Sequence, residues 1–171
     1  MTEVSRIEFD TRQTEILARG LQRMPELTQR EMSVSLQEVL SLLEREVKER
    51  TPVGVGGAGG LRGSVTHAMS GIAASGIAGK VYSPLSYAIP VELGTKPHFP
   101  PVEPLVDWVQ AKLGVPPNEA RAVAFLVARK IATKGTEGRH MFEDAFRENT
   151  QQILRRLDAA IQRVFAQLGG A

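Results

Sequence analysis

Three histidines (His67, His98 and His140) and the carboxylates Glu92, Glu103 and Asp107 are the side chains here whose types suit proton transfer or metal binding. Their spacing gives them little to work with. No histidine stands in a His-Glu-x-x-His arrangement, and with no cysteine in the chain a zinc site needs separate regions to converge. Glu137, His140 and Glu143 lie three residues apart and can share one face of a helical turn. A solvated helix start explains them more simply, because acidic side chains are favoured near a helix N-terminus. Glu92 can serve as a general base only if a pocket gathers it with Asp107, Glu103 or His98, and nothing in its neighbourhood separates it from a surface carboxylate. No serine sits in a Gly-x-Ser-x-Gly elbow. Gly54-Val55-Gly56-Gly57-Ala58-Gly59 matches the letters of the dinucleotide fingerprint, but Thr51-Pro52 precedes it where a strand should end, and a strand candidate follows where a helix should start. The residues predict no enzyme, no cofactor and no metal site.

The elements that position these residues are clearer. Ile7 and Phe9 alternate with charged neighbours, which predicts a short strand over 5–9. A helix follows to about Gln22, and Pro25 suits the first turn of a second one. Met32, Leu36, Val39, Leu40, Leu43 and Val47 recur at helical spacing with glutamates opposite, so a long helix is predicted over about 26–50, ended by Thr51-Pro52. Nine of the 16 glycines then fall between 51 and 79, where Arg62 is the only charged residue. Gly54 to Gly60 is predicted as a loop, since so many glycines cost too much backbone entropy for a helix or strand. Three short strands are predicted at Leu61–Met69, Ile72–Ser83 and Tyr87–Leu93, with a turn at Ser70-Gly71 and Pro90 marking an edge. Gly94 to Pro101 reads as an exposed loop. Two short helices follow, around Leu105–Leu113 and Ala120–Ile131, and then a long one from Met141 with the stripe Phe142, Phe146, Ile153, Leu157, Ile161, Val164 and Leu168. The fold class this order predicts is α+β: a small antiparallel sheet packed by long N-terminal and C-terminal amphipathic helices, in one domain spanning 1–171.

Composition bounds the function further. A chain of 171 residues with 42% apolar and 23% charged side chains is an ordinary globular sequence, not a disordered one. Its longest apolar run, Ala122 to Ala128, falls well short of the about 20 residues that span a bilayer. The N-terminus lacks a basic start followed by an apolar stretch, so a soluble cytoplasmic product is expected. The net charge of +2 is small, although residues 51–134 carry 8 basic and 4 acidic side chains. Lys80, Lys96 and Lys112, with Phe99 and Trp108, are the residues a nucleic-acid partner would use. Core anchoring is the plainer role for both aromatics, because large aromatic side chains are mostly buried.

Three segments carry a resemblance. Thr51-Pro52-Val53 after a long helix, a glycine loop and Leu61-Arg62-x-Ser64-Val65 resemble the "P-V-x-x-G-x-L-R-x-S-I" of phage tail-component proteins. Tyr87-Ala88-x-x-Val91-Glu92-x-Gly94-Thr95 resembles that family's "Y-A-x-x-V-E-x-G-T". Gly135-Thr136 followed by His140-Met141-Phe142-x-x-Ala145 is similar to its "P-F-hydrophobic-x-x-A", with His140 where the motif has Pro. The chain thus resembles the tail-completion, or head–tail joining, minor tail proteins of long-tailed bacteriophages and prophages, from about residue 28 to 150. It departs from the short members by a helical insertion over about 97–134.

The resemblance implies a structural virion protein without catalysis. Such a protein forms a ring, expected to be a hexamer, on the end of the tail tube and joins it to the head connector. Its implied partners are further copies of itself, the tail tube protein, the head-closure protein and genomic DNA passing through without sequence recognition; no membrane is involved. Tube-terminating or connector roles are close alternatives, and a nucleic-acid-binding protein is the alternative of another class. The loop at 53–60 (Val53, Gly54, Val55, Gly56, Gly57), Leu61 and Arg62, Glu92, and the Thr95, Lys96, His98 and Phe99 loop are the expected interaction residues. Glu92 is expected to be a hydrogen-bond partner in the core or between subunits.

Overall fold

The computed structural model describes residues 12–54, 60–73 and 76–169. The predicted strand at 5–9 and most of the glycine loop, including Val55, Gly56 and Gly57, lie outside the described residues. The fold is α+β, with two long helices framing two small antiparallel strand pairs. Helix α1 (Arg12–Arg50) runs antiparallel to the last helix, α6 (Met141–Gly169). Contacts from end to end fix that pairing. Gly20 faces Leu168, Glu31 takes Arg163 at 2.8 Å, Glu38 takes Arg156 at 3.1 Å, and Arg50 reaches Glu148 at 2.5 Å. Ser35, fully buried in the seam, donates to the Arg156 carbonyl at 3.0 Å.

One correction concerns Pro25. Two helices broken before it are predicted, but α1 is continuous through it. Proline removes one backbone donor and strains the preceding turn. Here α6 packs on the helix both before Pro25, at Gly20, and after it, at Glu31, so tertiary contact overrides the local break.

After α1 the chain makes one helical turn, α2 (Leu61–Ser64), where the start of a strand is predicted. Leu61 and Val65 lie in the core with Val47, Ala88, Met141 and Ala145; four residues apart, they share one face of a helical turn as they would of a strand, so their spacing does not tell the two apart. Strand β1 (Thr66–Ala73) then pairs with β2 (Gly76–Tyr82) in register Thr66↔Tyr82 to Ser70↔Ala78. The strand runs through Ser70-Gly71, so the turn predicted there does not form. The hairpin lies on α1. Gly79 meets Leu40, and His67 on β1 sits between Glu44 at 2.5 Å and Gln37 at 2.7 Å. Val81 on β2 reaches the cluster of Val39, Leu43, Ile153 and Leu157.

The third predicted strand is a helix, α3 (Ala88–Leu93). Pro90 falls in its first turn, where the missing N–H needs no partner. Ala88 and Val91 turn inward, and Ile89 and Leu93, one turn apart, share an outer face. The alternation of apolar residues that suggests a strand is therefore an inner and an outer helix face. Two-residue strands β3 (Gly94–Thr95) and β4 (Thr136–Glu137) pair as a neck, and between them α4 (Glu103–Leu113) and α5 (Pro117–Lys134) form a hairpin. That hairpin has its own core of Val109, Ala120 and Ala124. Among the described residues no helix is long and apolar enough to cross a membrane.

Glu44 ties this framework to pH. The Lys48 ammonium, hydrogen-bonded to it, holds its carboxyl below the usual carboxylate range, and His67 adds to this. A carboxyl lowered on folding contributes stability that is complete above its unfolded value of about 4.3 and lost as pH falls through the folded value. Urea midpoints should therefore be flat from pH 7 to about 5 and fall below about 4. Glu44→Gln should lower the neutral midpoint and make the acid fall shallower; an unchanged pH profile contradicts the role.

Candidate functional site

The three segments of the resemblance meet at one junction, where the end of α3, the neck and the start of α6 converge. The Glu92 carboxylate caps α6. Its Oε2 accepts the Phe142 N–H and its Oε1 the Glu143 N–H, each at 3.1 Å. The first turn of a helix leaves such donors without partners, and a carboxylate there also meets the positive end of the helix dipole. The Glu92 carbonyl accepts the His140 N–H at 3.0 Å, and the Val91 carbonyl accepts the Arg139 N–H at 2.9 Å. One residue thus holds the entry to α6 by side chain and main chain together.

The neck needs glycine on both sides. Gly94 has φ +77° and Gly135 φ +69°, a region that side-chain-bearing residues rarely adopt. A Cβ on Gly94 would stand 2.3 Å from the Thr136 carbonyl oxygen, and one on Gly135 2.0 Å from that of Thr95. Between them the Thr95 and Thr136 hydroxyls bond at 2.9 Å. His140 takes φ +48° immediately before α6, and its N–H is used. Proline, locked near φ −65° and without that donor, does not fit this geometry.

The first motif serves the same core. Thr51 is fully buried, donating to the Val47 carbonyl at 2.6 Å and touching the Met141 sulfur at 3.2 Å. Arg62 donates from Nε at 2.9 Å and Nη2 at 2.8 Å to the Thr51 carbonyl, closing the C-terminus of α1. The Ser64 and Ser83 hydroxyls bond at 2.7 Å.

These positions revise several expected interaction residues. Leu61 is buried and offers no surface, and Arg62 and Glu92 are occupied inside the subunit. Val53 and Gly54 are exposed, as are Lys96 and His98, whose ring nitrogen lies 3.0 Å from the Lys96 carbonyl. Thr95 is half-buried in the neck. Phe99 and Trp108 are 53% and 38% exposed, so the core-anchoring role expected of them is wrong. Phe99 packs on Phe125 of α5, with ring centroids 5.9 Å apart, on the outside of the hairpin, whose own core is filled by small and branched residues instead. Lys80 lies 4.7 Å over the Tyr82 ring, while Lys112 ends α4, so the candidate nucleic-acid residues are spread over separate elements. His140 meets Glu143 at 3.0 Å, and among the described residues no three metal-ligating side chains converge.

Sequence reasoning missed the surface beside the junction. Val81, Tyr82, Ala88, Ile89, Leu93 and Phe142 line an open groove of about 390 Å³ with Glu92 at its edge. Ile89 and Leu93 are 67% and 66% exposed. The i, i+4 spacing of these two residues is the signal, and it is legible only once 88–93 is read as a helix. With both Glu92 oxygens engaged by backbone donors, the groove offers apolar contact and no acid–base pair. Comparison with protein-family models, curated proteins and solved structures finds no match for this chain.

Replacing Glu92 by Gln leaves one oxygen to accept and turns an NH₂ toward the other backbone donor. The expected loss of stability is about 1–2 kcal/mol, the usual worth of a helix cap. Thermal unfolding of Glu92→Gln at neutral pH checks it, and an unchanged midpoint contradicts the cap.

Proposed function

We propose that this chain is a tail-completion protein, a structural subunit that assembles on the end of a phage tail tube and joins it to the head connector. The reading rests on the resemblance of its three motif segments. The observation that carries it is that these segments, separated by up to 90 residues in sequence, converge on one junction. Val-Glu-x-Gly-Thr and Gly-Thr form the two halves of the neck, the glutamate caps the helix that the third motif begins, and Thr51 of the first motif touches Met141 of the third. Residues required by one shared local geometry explain why such a pattern belongs together. The exposed apolar groove beside the junction and the hairpin carried on the neck are surfaces suited to partner proteins. Under this reading the protein acts by binding alone, in the virion, after assembly in the host cytoplasm. Tube termination and head closure are neighbouring roles that the same surfaces would serve.

Electron microscopy of a lysate from a phage or prophage lacking the gene tests the proposal. It predicts filled heads beside unattached tails. Intact, infectious particles would overturn it, and steep salt-dependent binding of DNA by the purified protein would favour the nucleic-acid alternative.

A further inference from the structure

The hairpin of α4 and α5 buries one face of α5 and leaves the opposite face uncovered. Ala120, Ala124 and Ala128 are fully buried, and the side chains on the far side of the helix are exposed. Two rows run along that outer face at four-residue spacing: Phe125 with Arg129, and Leu126 with Lys130 and Lys134. Phe125 and Leu126 are 49% and 58% exposed, and Phe99 enlarges the apolar part by packing on Phe125. The face is therefore apolar in the middle of α5 and basic toward its C-terminus.

Helix position alone does not account for these cations. Lys134 lies in the last turn, where the negative end of the helix dipole favours it, but Arg129 and Lys130 lie farther in, where that effect has fallen off. Arg121, nearer the start of α5, pairs with Glu103 at 2.9 Å. Among the described residues Arg129, Lys130 and Lys134 form no ion pair. Three unneutralised cations beside an apolar patch complement a surface that brings acidic and apolar side chains together. The composition favours a protein over a nucleic acid. Glu119 and the paired Glu103 stand at the other end of α5, so a phosphate backbone following the helix would meet carboxylates. Leu126, beside the cations, offers an aliphatic contact where a base would stack on a flat ring.

We propose that the outer face of α5 docks an acidic segment of another protein, which sets apolar side chains on Phe125 and Leu126 and carboxylates against Arg129, Lys130 and Lys134. The chemistry of this surface is independent of the tail reading; that the partner is a virion protein rests on that reading.

Photocrosslinking tests it, with benzoylphenylalanine in place of Leu126 in the full chain, expressed in cells that carry the gene, and the same substitution at the exposed Val34 of α1 as the control. Sequencing of the crosslinked peptide should give one segment of another protein in which Asp or Glu accompany apolar residues. The purified chain should bind a synthetic copy of that segment, and Arg129→Glu/Lys130→Glu should weaken binding about tenfold. Exchanging the acidic residues of the peptide for lysine should restore binding to that variant, and circular dichroism checks that the variant is folded. A crosslink to nucleic acid, to a second copy of this chain or to a segment without acidic residues would overturn the proposal. So would no crosslink, the same crosslink from position 34, or charge reversal without effect. A partner of the expected chemistry that is not a virion protein would uphold this surface and count against the tail reading.

Discussion

The entry to α6 is the constraint on which the rest of the structure depends. A 29-residue helix has four backbone donors at its start without internal partners, and here three of them, on His140, Phe142 and Glu143, are met by Glu92, about 50 positions earlier. Because Glu92 provides both oxygens and its own carbonyl, the end of α3 and the start of α6 must hold a fixed distance and direction. That in turn sets where Met141 enters the core against Thr51, and hence the axial register of α6 along α1. The ion pairs farther along the two helices, Glu38 with Arg156 and Glu31 with Arg163, lie on the surface and are worth little singly. They follow from the register more than they impose it.

The neck converts this junction into a mount. Gly94 and Gly135 let two chain segments cross closely enough to pair Thr95 with Thr136, and everything between them hangs outward as a helical hairpin with a separate core. A long insertion is tolerated thermodynamically when its ends are already held together, since loop closure costs grow only slowly with length. Phe99, Phe125 and Trp108 remain on the hairpin's outside because Val109 and three alanines on α5 fill its inside.

Much of this was legible in the sequence, for identifiable reasons. Both long helices show through their 3.6-residue stripes, and the glycine-rich stretch marks the change from helix to hairpin. Other elements were hidden by competing signals. Pro25 marks a break locally, yet α6 holds the helix together on either side of it. Ile89, Val91 and Leu93 alternate as a strand does, and only the placement of Pro90 in a first turn allows the helix. Within the site, Glu92 was recognisable as a hydrogen-bonding residue, but its partners are backbone groups, which leave no trace in side-chain identity. The predicted inner stripe of α6 misleads for a further reason: Phe146 and Ile161, which are exposed, look the same in sequence as the buried Ile153 and Val164, and only the position of α1 separates them.

The central claim is that Glu92 organises the start of α6, and amide hydrogen exchange measures it most directly. The Phe142 and Glu143 amides should be protected in the wild type and should lose protection in Glu92→Ala, with amides in the middle of α6, around Ile153, changing far less. Equal exchange at Phe142 and Glu143 in the two proteins would contradict the account.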